Sequence, residues 1–474
     1  MKIRIRLEWL AVIVAAAVLL PLLFFSPVGV ANNGDFYRMM LAGGIDFADP
    51  GESYRDKYFG YFHRLYHYGP FSADRYISSQ IIPVFIAGII GRAVNSQTFD
   101  IRILSLLYSV LYVAALYVIV KFNKQRSIVF NTVLIASLAL VFLDIGYVAY
   151  FNSFFGEAVT VIFMLLTFGL ALALPHSDKP SVWLLTAFYL SAVCLVGTKL
   201  QNAPIGLLFL LLGLRYWKLR ADRAWRWTVG IWSAVLLLAT VTMYAAAPSG
   251  LKHINLYQTV FFGVLKDSPD PASDLRELGL PEAFKVNAGT NFFQKDTVIK
   301  QNDPRIVAAL EGISHKDVLL YYAKHPDRFL QKLKRAAKNG MSIRPFYLGS
   351  YEKEAGKPYG AVSYAYSTWS TFKLKVMPNK LWFIAAFAAA YLAVLAVEYI
   401  RRWRSVQQRL YLEALFVLAL VGMCGFTVPL VGDGEADLGK HLFLFNVCFD
   451  MMMVVSVLYV VRIIVKKAGL PRGA

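Results

Sequence analysis

The chain has 474 residues, 57% of them hydrophobic, with a formal net charge of +19 and a mean hydropathy of +0.50. Soluble domains are about 45–50% apolar, and several windows here exceed the ~18 uncharged residues that suggest a membrane-spanning helix, so a soluble globular protein is excluded. Unbroken rather than alternating apolar runs favour helices over the strands of a closed barrel, and an all-α polytopic membrane protein is expected.

In chain order, spans are expected at 8–30, 101–121, 127–145, 158–174, 181–198, 204–217, 226–247, 380–400, 410–431 and 441–463. The first follows "MKIRIR" and is read as a retained anchor, since no small-residue cleavage site follows its long apolar part. Basic residues collect between spans. They are Lys2, Arg4 and Arg6; Lys121, Lys124 and Arg126; Arg215, Lys218, Arg220, Arg223 and Arg226; Arg401, Arg402, Arg404 and Arg409; Arg462, Lys466 and Lys467. With the N-terminus inside, all fall inside, as the positive-inside rule expects. The charge then suits an anionic leaflet, with membrane lipids rather than nucleic acid as partners. Cys194, Cys424 and Cys448 lie in apolar spans and form no disulfide or metal framework.

The stretch "YISSQIIPVFIAGIIGRAV" (76–94) is long enough to suggest a further span. Crossing there would put "KFNKQRS" (121–127) outside, and Pro83, Gly88 and Gly91 weaken a helix. It is therefore expected to lie at the outer surface or to re-enter. The outside receives a long loop, 31–100, and a larger segment, 248–379. In the latter Ser314 and Asp317 form a capping box and Pro326 opens a helix. That helix is expected to bury Phe329, Leu330, Leu333 and Ala336, with Arg328, Lys332, Arg335 and Lys338 elsewhere. No strong strand alternation and no internal repeat appears. The division is 1–247 as an N-terminal transmembrane module, 248–379 as a mostly helical extracytoplasmic domain, and 380–474 as C-terminal helices.

Ionisable groups recur at one outer depth. Asp35 and Arg38 sit in "NNGDFYRMM" and Arg102 in "FDIRILS". Glu157 closes "YFNSFFGE", Lys199 lies in "VGTKLQNAP", and Lys440 and His441 follow Asp433, Glu435 and Asp437. Singly, each has an ordinary explanation. "NNGD" is a turn, Glu157 suits a helix N-terminus, and cations snorkel to lipid phosphates. The acid-rich "GDGEADLGK" lacks EF-hand spacing. Together, carboxylates able to take a hydroxyl proton and cations able to hold a phosphate are the equipment for moving a sugar from a lipid phosphate.

These positions resemble the GT-C superfamily of multi-span glycosyltransferases. Its first outer loop carries an acid, then helices at the membrane surface, then an arginine opening the second span; here these read as Asp35, 76–94 and Arg102. Glu157 occupies the place of a second acid. A closer resemblance, to bacterial hexosyltransferases of the WsfD type, rests on "NNGDFYRMM", "YFNSFFGEA", "NLYQTVFFGVLKDSPDPASDLRELGL", "YYAKHPDRFLQKL" and "GDGEADLGKHLFLFNVCFD". The chain departs from the mannosyltransferases of the superfamily, since Asp35 is not followed by a second acid.

The resemblance implies a GT-C type bundle of about ten spans in the plasma membrane, with its site on the extracytoplasmic face. It implies a polyprenyl-phosphate-linked hexose as donor and a cell-surface glycan, lipid or protein as acceptor. Asp35 is the expected base, with inversion at the anomeric carbon, and Glu157 the second catalytic acid. Arg38, Arg102, Lys199, Lys440 and His441 are expected to bind substrate, and Tyr37, Tyr150 and Trp369 to stack on sugar. Some relatives place a divalent metal between the acids and others do not; no cofactor is assigned. A transporter or flippase of lipid-linked sugars would use the same cations without a base, and a scaffold would need neither.

Overall fold

The structure is a computed structural model that describes residues 6–25, 27–72 and 76–468. Lys2 and Arg4 of the first basic segment lie outside the described residues. Among the described residues, seven helices are long and apolar enough to cross a membrane: Leu7–Phe25, Arg102–Asn123, Glu157–His176, Arg223–Ala245, Leu381–Arg401, Val406–Gly432 and Phe443–Lys467. Ile128–Phe142 and Ile145–Asn152 pass the same test together but are bent by 50° at the break between them, as in a broken span or a re-entrant loop. The bend has a cause in Asp144, whose backbone is extended. Its buried carboxylate accepts from the backbone N–H of Gly146 at 2.7 Å and of Ser370 at 2.9 Å, capping a new helix rather than continuing the old one.

The other two expected spans are helices of 15 residues, Val182–Val196, and 11 residues, Ile205–Arg215. At 1.5 Å per residue they reach only about 22 and 16 Å, short of the ~30 Å hydrocarbon core. Short 3₁₀ turns at Leu200–Asn202 and Tyr216–Leu219 flank the second. Ile81–Val94 is a helix of 14 residues, also too short to cross. It packs Val84, Ala87 and Gly91 inward and leaves Ile82, Phe85, Ile86, Ile89 and Ile90 exposed.

Because successive helices reverse direction, the basic connections gather at one end. There Lys124 pairs with Glu8 at 2.8 Å and Arg215 with Glu413 at 2.6 Å. The long loops gather at the other end. Loop 31–100 contains a feature that sequence alternation does not reveal: a three-stranded antiparallel sheet of Ile45–Phe47, Leu65–Tyr68 and Thr98–Asp100, in that order. Strands of three or four residues are too short to show a period of two.

The 248–379 segment is mostly helical. Residues from Leu256 to Tyr322 enclose a small core of their own. Ala336, Met341, Ile343 and Trp369 instead join the main core of the bundle. The capping box at Ser314 and Asp317 forms, and Pro326 opens the helix Pro326–Asn339. Phe329, Leu333 and Ala336 of its expected face pack inward, but Leu330 is exposed, and Arg328 and Lys332 are buried as well. The reason is pairing. Arg328 donates to the Val264 carbonyl at 3.0 Å, and Lys332 donates to the Lys266 carbonyl and to Glu435, both at 2.9 Å.

A second buried pair ties this segment to the last helix. Lys373 and Asp450 are both fully buried and lie 2.5 Å apart. The other Asp450 oxygen accepts from the Tyr147 hydroxyl at 2.5 Å and the Trp369 indole N–H at 2.8 Å. Every polar atom in this knot is satisfied by another, which is the condition for burying charge at all. Trp369 is thereby committed to the core rather than to sugar stacking. Asp450→Leu leaves an unpaired buried ammonium and is expected to cost about 3–5 kcal/mol. The double variant with Lys373→Met should recover most of the loss. Thermal unfolding in detergent measures both; a double variant no more stable than the single one would contradict the assignment.

Candidate active site at the loop end of the bundle

Asp35 follows a turn built by asparagines. Asn32 Oδ1 accepts from the Gly34 N–H at 2.7 Å, and Asn33 Oδ1 from the Asp35 N–H at 3.2 Å. Gly34 takes φ +106°, which its lack of a Cβ permits. The turn presents the Asp35 carboxylate to a cavity of about 1440 Å³ at the loop end of the helices. Lys440 is 3% exposed and donates to Asp35 from the far end of the chain. Its ammonium also lies 4.3 Å from the centre of the Phe155 ring. Arg38 stands 3.9 Å from the other Asp35 oxygen.

Glu157 opens the helix Glu157–His176, where the helix dipole favours a carboxylate. It is buried and paired with Lys199. Gly156 makes this contact feasible, because a Cβ there would fall 2.9 Å from Lys199 Cε. The remaining Glu157 oxygen, Oε2, has no hydrogen-bond partner among the described residues. His441 completes the ring of charge. Its Nε2 faces Asp433 at 3.0 Å and its Nδ1 faces Gln201 Oε1 at 2.8 Å. An acceptor stands at each ring nitrogen, an arrangement that favours the doubly protonated imidazole.

The electrostatics follow from these pairs. Burial alone would raise the Asp35 pKa, but the charge and hydrogen bond of Lys440, then Arg38 and Lys199, hold it well below the usual carboxylate range. Burial pulls Lys440 down, but Asp35, Glu157 and Asp437 outweigh it and hold it well above the ordinary lysine range. Lys199 is lowered, first by burial and then by the nearby Lys440, against the pull of Glu157. His441 is raised, Asp433 overcoming the cost of burial.

Of the residues expected at the site, Asp35, Arg38, Lys199, Lys440 and His441 line the one cavity, and Glu157 stands directly behind Lys199. Arg102 stands apart. Its guanidinium is bound to Asp100, with Nε at 2.9 and 3.0 Å from the two oxygens, and to the Phe24 carbonyl at 3.1 Å. It joins the small sheet to the first helix and does not line the cavity. Tyr37 is half exposed beside the cavity, and Tyr150 is fully buried in the core. Sequence reasoning missed Gln201, Gln258 and Tyr347, which also line it. Gln201 lies two residues after Lys199 in "VGTKLQNAP", but an uncharged amide or a tyrosine carries no cost at a membrane surface that would single it out.

Each acid has a lysine ammonium on one of its oxygens, Lys440 on Asp35 and Lys199 on Glu157. Among the described residues, no group of three or more His, Cys, Asp or Glu side chains could hold a metal ion. The arrangement instead suits an anion able to compete for the ammonium groups. Away from the charges the cavity is walled by Leu207, Val241, Tyr244, Val428 and Val431, from helix ends that would reach the hydrocarbon.

The Asp35–Lys440 pair stabilises the chain above the ordinary carboxylate pKa, and that contribution is lost as the pH falls through the lowered value. Lys440→Met should return Asp35 toward the ordinary range. At mildly acid pH, carbodiimide coupling of an amine to Asp35, read by peptide mass spectrometry, should then rise several-fold over wild type. Equal labelling would mean that Lys440 does not control Asp35.

No curated protein sequence matches this chain. Among solved structures, the apo oligosaccharyltransferase of Archaeoglobus fulgidus aligns at 13% identity and a TM-score of 0.41, over 96% of this chain and 51% of that one. The oligosaccharyltransferase AglB of the same organism, in complex with an inhibitory peptide and a dolichol-phosphate, aligns at 12% identity and a TM-score of 0.39, over 99% and 53%. The chain thus spans about half the length of these proteins. Residues 1–471 match the model of the YfdI N-terminal transmembrane domain, and the chain belongs to that family.

Proposed function

We propose that this protein is a GT-C type glycosyltransferase that moves a hexose from a polyprenyl-phosphate donor to an extracytoplasmic glycan or lipid acceptor. The observation that carries this reading is the cavity itself. One end holds Lys440, Lys199 and Arg38 around Asp35, and the walls are apolar where they meet the helix ends. A ligand matching both is an amphiphile with an anionic head, and a prenyl phosphate is one. The resemblance of "NNGDFYR" and "FNSFFGE" to the superfamily supplies the sugar, and the WsfD-like strings support a hexose.

In this reading the donor phosphate takes Lys440 and Lys199 as its cations. Asp35 then loses the partner that suppressed its basicity, so donor binding itself prepares the base. Asp35 accepts the proton of the acceptor hydroxyl, and the hydroxyl oxygen bonds to the anomeric carbon from the face opposite the phosphate. The bond from that carbon to the phosphate oxygen breaks, and its electron pair leaves with the phosphate. The configuration inverts. Lys440, Lys199 and Arg38 stabilise the charge that develops on the leaving phosphate, and Glu157 holds Lys199 in place.

Purified protein in vesicles, given a radiolabelled polyprenyl-phosphate hexose and membrane glycans, tests this. Wild type should transfer label, and Asp35→Asn should lose about 10²–10⁴-fold in rate while still binding the donor. Equal rates would remove Asp35 as the base. Labelled lipid crossing the vesicle with no transfer by either form would replace the enzyme with a flippase.

A further inference from the structure

Among the described residues, three carboxylates line the cavity: Asp35, Asp433 and Asp437. Asp35 is paired with Lys440 and Asp433 with His441. Asp437 has no ion pair among the described residues. Its Oδ1 accepts from the Tyr347 hydroxyl, while its Oδ2 has no hydrogen-bond partner among them. Asp437 is only part-buried, and Oδ2 is not among the enclosed unpaired atoms, so it is open to the cavity. An aspartate ahead of a helix ordinarily caps it. Asp437 precedes Leu438–His441 at φ +43°, yet its side chain makes no cap and meets Tyr347 instead.

Tyr347 and Phe59 stand beside this carboxylate. Both line the cavity, and their ring centres lie 6.5 Å apart. Phe59 takes φ +69° and ψ −41°, a conformation that a bulky residue rarely adopts. What it secures is visible in the backbone. The Phe59 N–H donates to the Asn32 carbonyl at 2.8 Å, and the Phe59 carbonyl accepts from the Gly349 N–H at 2.8 Å. Asn32 is the residue whose side chain builds the turn at Asp35, and Gly349 lies two residues after Tyr347. Two aromatic rings and one open carboxylate oxygen are thus tied to the turn that carries Asp35.

We infer that Phe59, Tyr347 and Asp437 form the acceptor subsite and that the acceptor is a neutral glycan, one of whose hydroxyls donates to Asp437 Oδ2 while another reaches Asp35. This rests on the reading of the cavity as a donor site with Asp35 as base. A carboxylate oxygen only accepts, so its ligand brings O–H or N–H and not a second carboxylate or phosphate. Lys440, three residues further along the same turn, disfavours an ammonium, which leaves a hydroxyl. The two rings offer apolar area to the C–H face of a pyranose, and the Tyr347 hydroxyl holds the carboxylate beside them. The aliphatic wall of Leu207, Val241 and Val428 is assigned to the donor's tail, so the aromatic residues fall to the acceptor.

The test uses the full chain in lipid nanodiscs, loaded with farnesyl phosphate, and the methyl pyranosides of glucose, galactose, mannose, rhamnose and N-acetylglucosamine. Saturation-transfer NMR reads sugar binding. Wild type should bind at least one pyranoside, and removing one hydroxyl from it should weaken binding about tenfold, the worth of a hydrogen bond to a charged group. Asp437→Asn keeps Oδ1 for Tyr347, tolerates the positive φ and puts an N–H donor where Oδ2 stood. In that variant the parent sugar should bind about tenfold more weakly, and the penalty at one deoxy position should vanish, with farnesyl phosphate still bound. The wild-type deoxy series tests the proposal even where the variant does not fold. No pyranoside bound by wild type, no deoxy penalty, or penalties unchanged at every position in Asp437→Asn would overturn the subsite, while bound farnesyl phosphate leaves the donor reading intact. A pyranoside displaced by a hexosyl farnesyl C-phosphonate but not by farnesyl phosphate would put the transferred sugar there and overturn the acceptor assignment. Failure of wild type to bind farnesyl phosphate at all would remove both.

Discussion

A lysine that is 3% exposed keeps its charge only beside a carboxylate, and Lys440 is held by one 405 positions away in the chain. This pair brings the turn after the first helix against the turn before the last, and it stands at the head of the cavity. The turn that carries Lys440 is itself fixed by the 248–379 segment. Glu435, five residues before it, is buried under Lys332 and Lys266 at 2.9 Å each and Arg335 at 3.4 Å. Burying so many charges is tolerable only because each finds its partner; removing one would leave another stranded. The outer helices, the first loop and the last helix are therefore one electrostatic unit.

That unit gives the cavity two characters. Its head is a set of ion pairs that a phosphate can rearrange, exchanging one anionic partner for another. Its walls come from the loop ends of the helices Ile205–Arg215, Arg223–Ala245 and Val406–Gly432. Ile205–Arg215 is the shortest of these, 11 residues beside 23 and 27. Catalytic chemistry in such a place does not require a buried pocket deep in the protein. It requires a charged end and an apolar wall within one ligand's length of each other.

How much of this was legible in the sequence depends on what each residue had to signal. Apolar runs announced the long helices, and positive charge between them sorted their ends. Asp35, Lys199, Lys440 and His441 could be singled out because charge at a helix end in a membrane is costly and needs a reason. Arg102 carried the same signal for a different reason, since Asp100 two residues before it takes its guanidinium. Asp450 was invisible because "NVCFDMMM" reads as one more apolar turn, and its partner Lys373 sits far away in a segment assigned to the outer domain. Lys332 was placed on the wrong face because amphipathic periodicity treats every lysine as wet, and this one has a buried glutamate to meet.

The central claim is that a lipid phosphate sits with its head at Lys440 and its tail along the helix ends. Photo-crosslinking measures this directly. A prenyl phosphate carrying a diazirine in its tail, activated in nanodiscs with the intact chain, should label peptides spanning Thr240–Ala245 and Thr427–Val431, both on the cavity wall. Unlabelled prenyl phosphate should compete the label away, and prenyl alcohol, which lacks the anion, should not. Label spread evenly over the lipid-facing helices, or competition by the alcohol as strong as by the phosphate, would contradict the account.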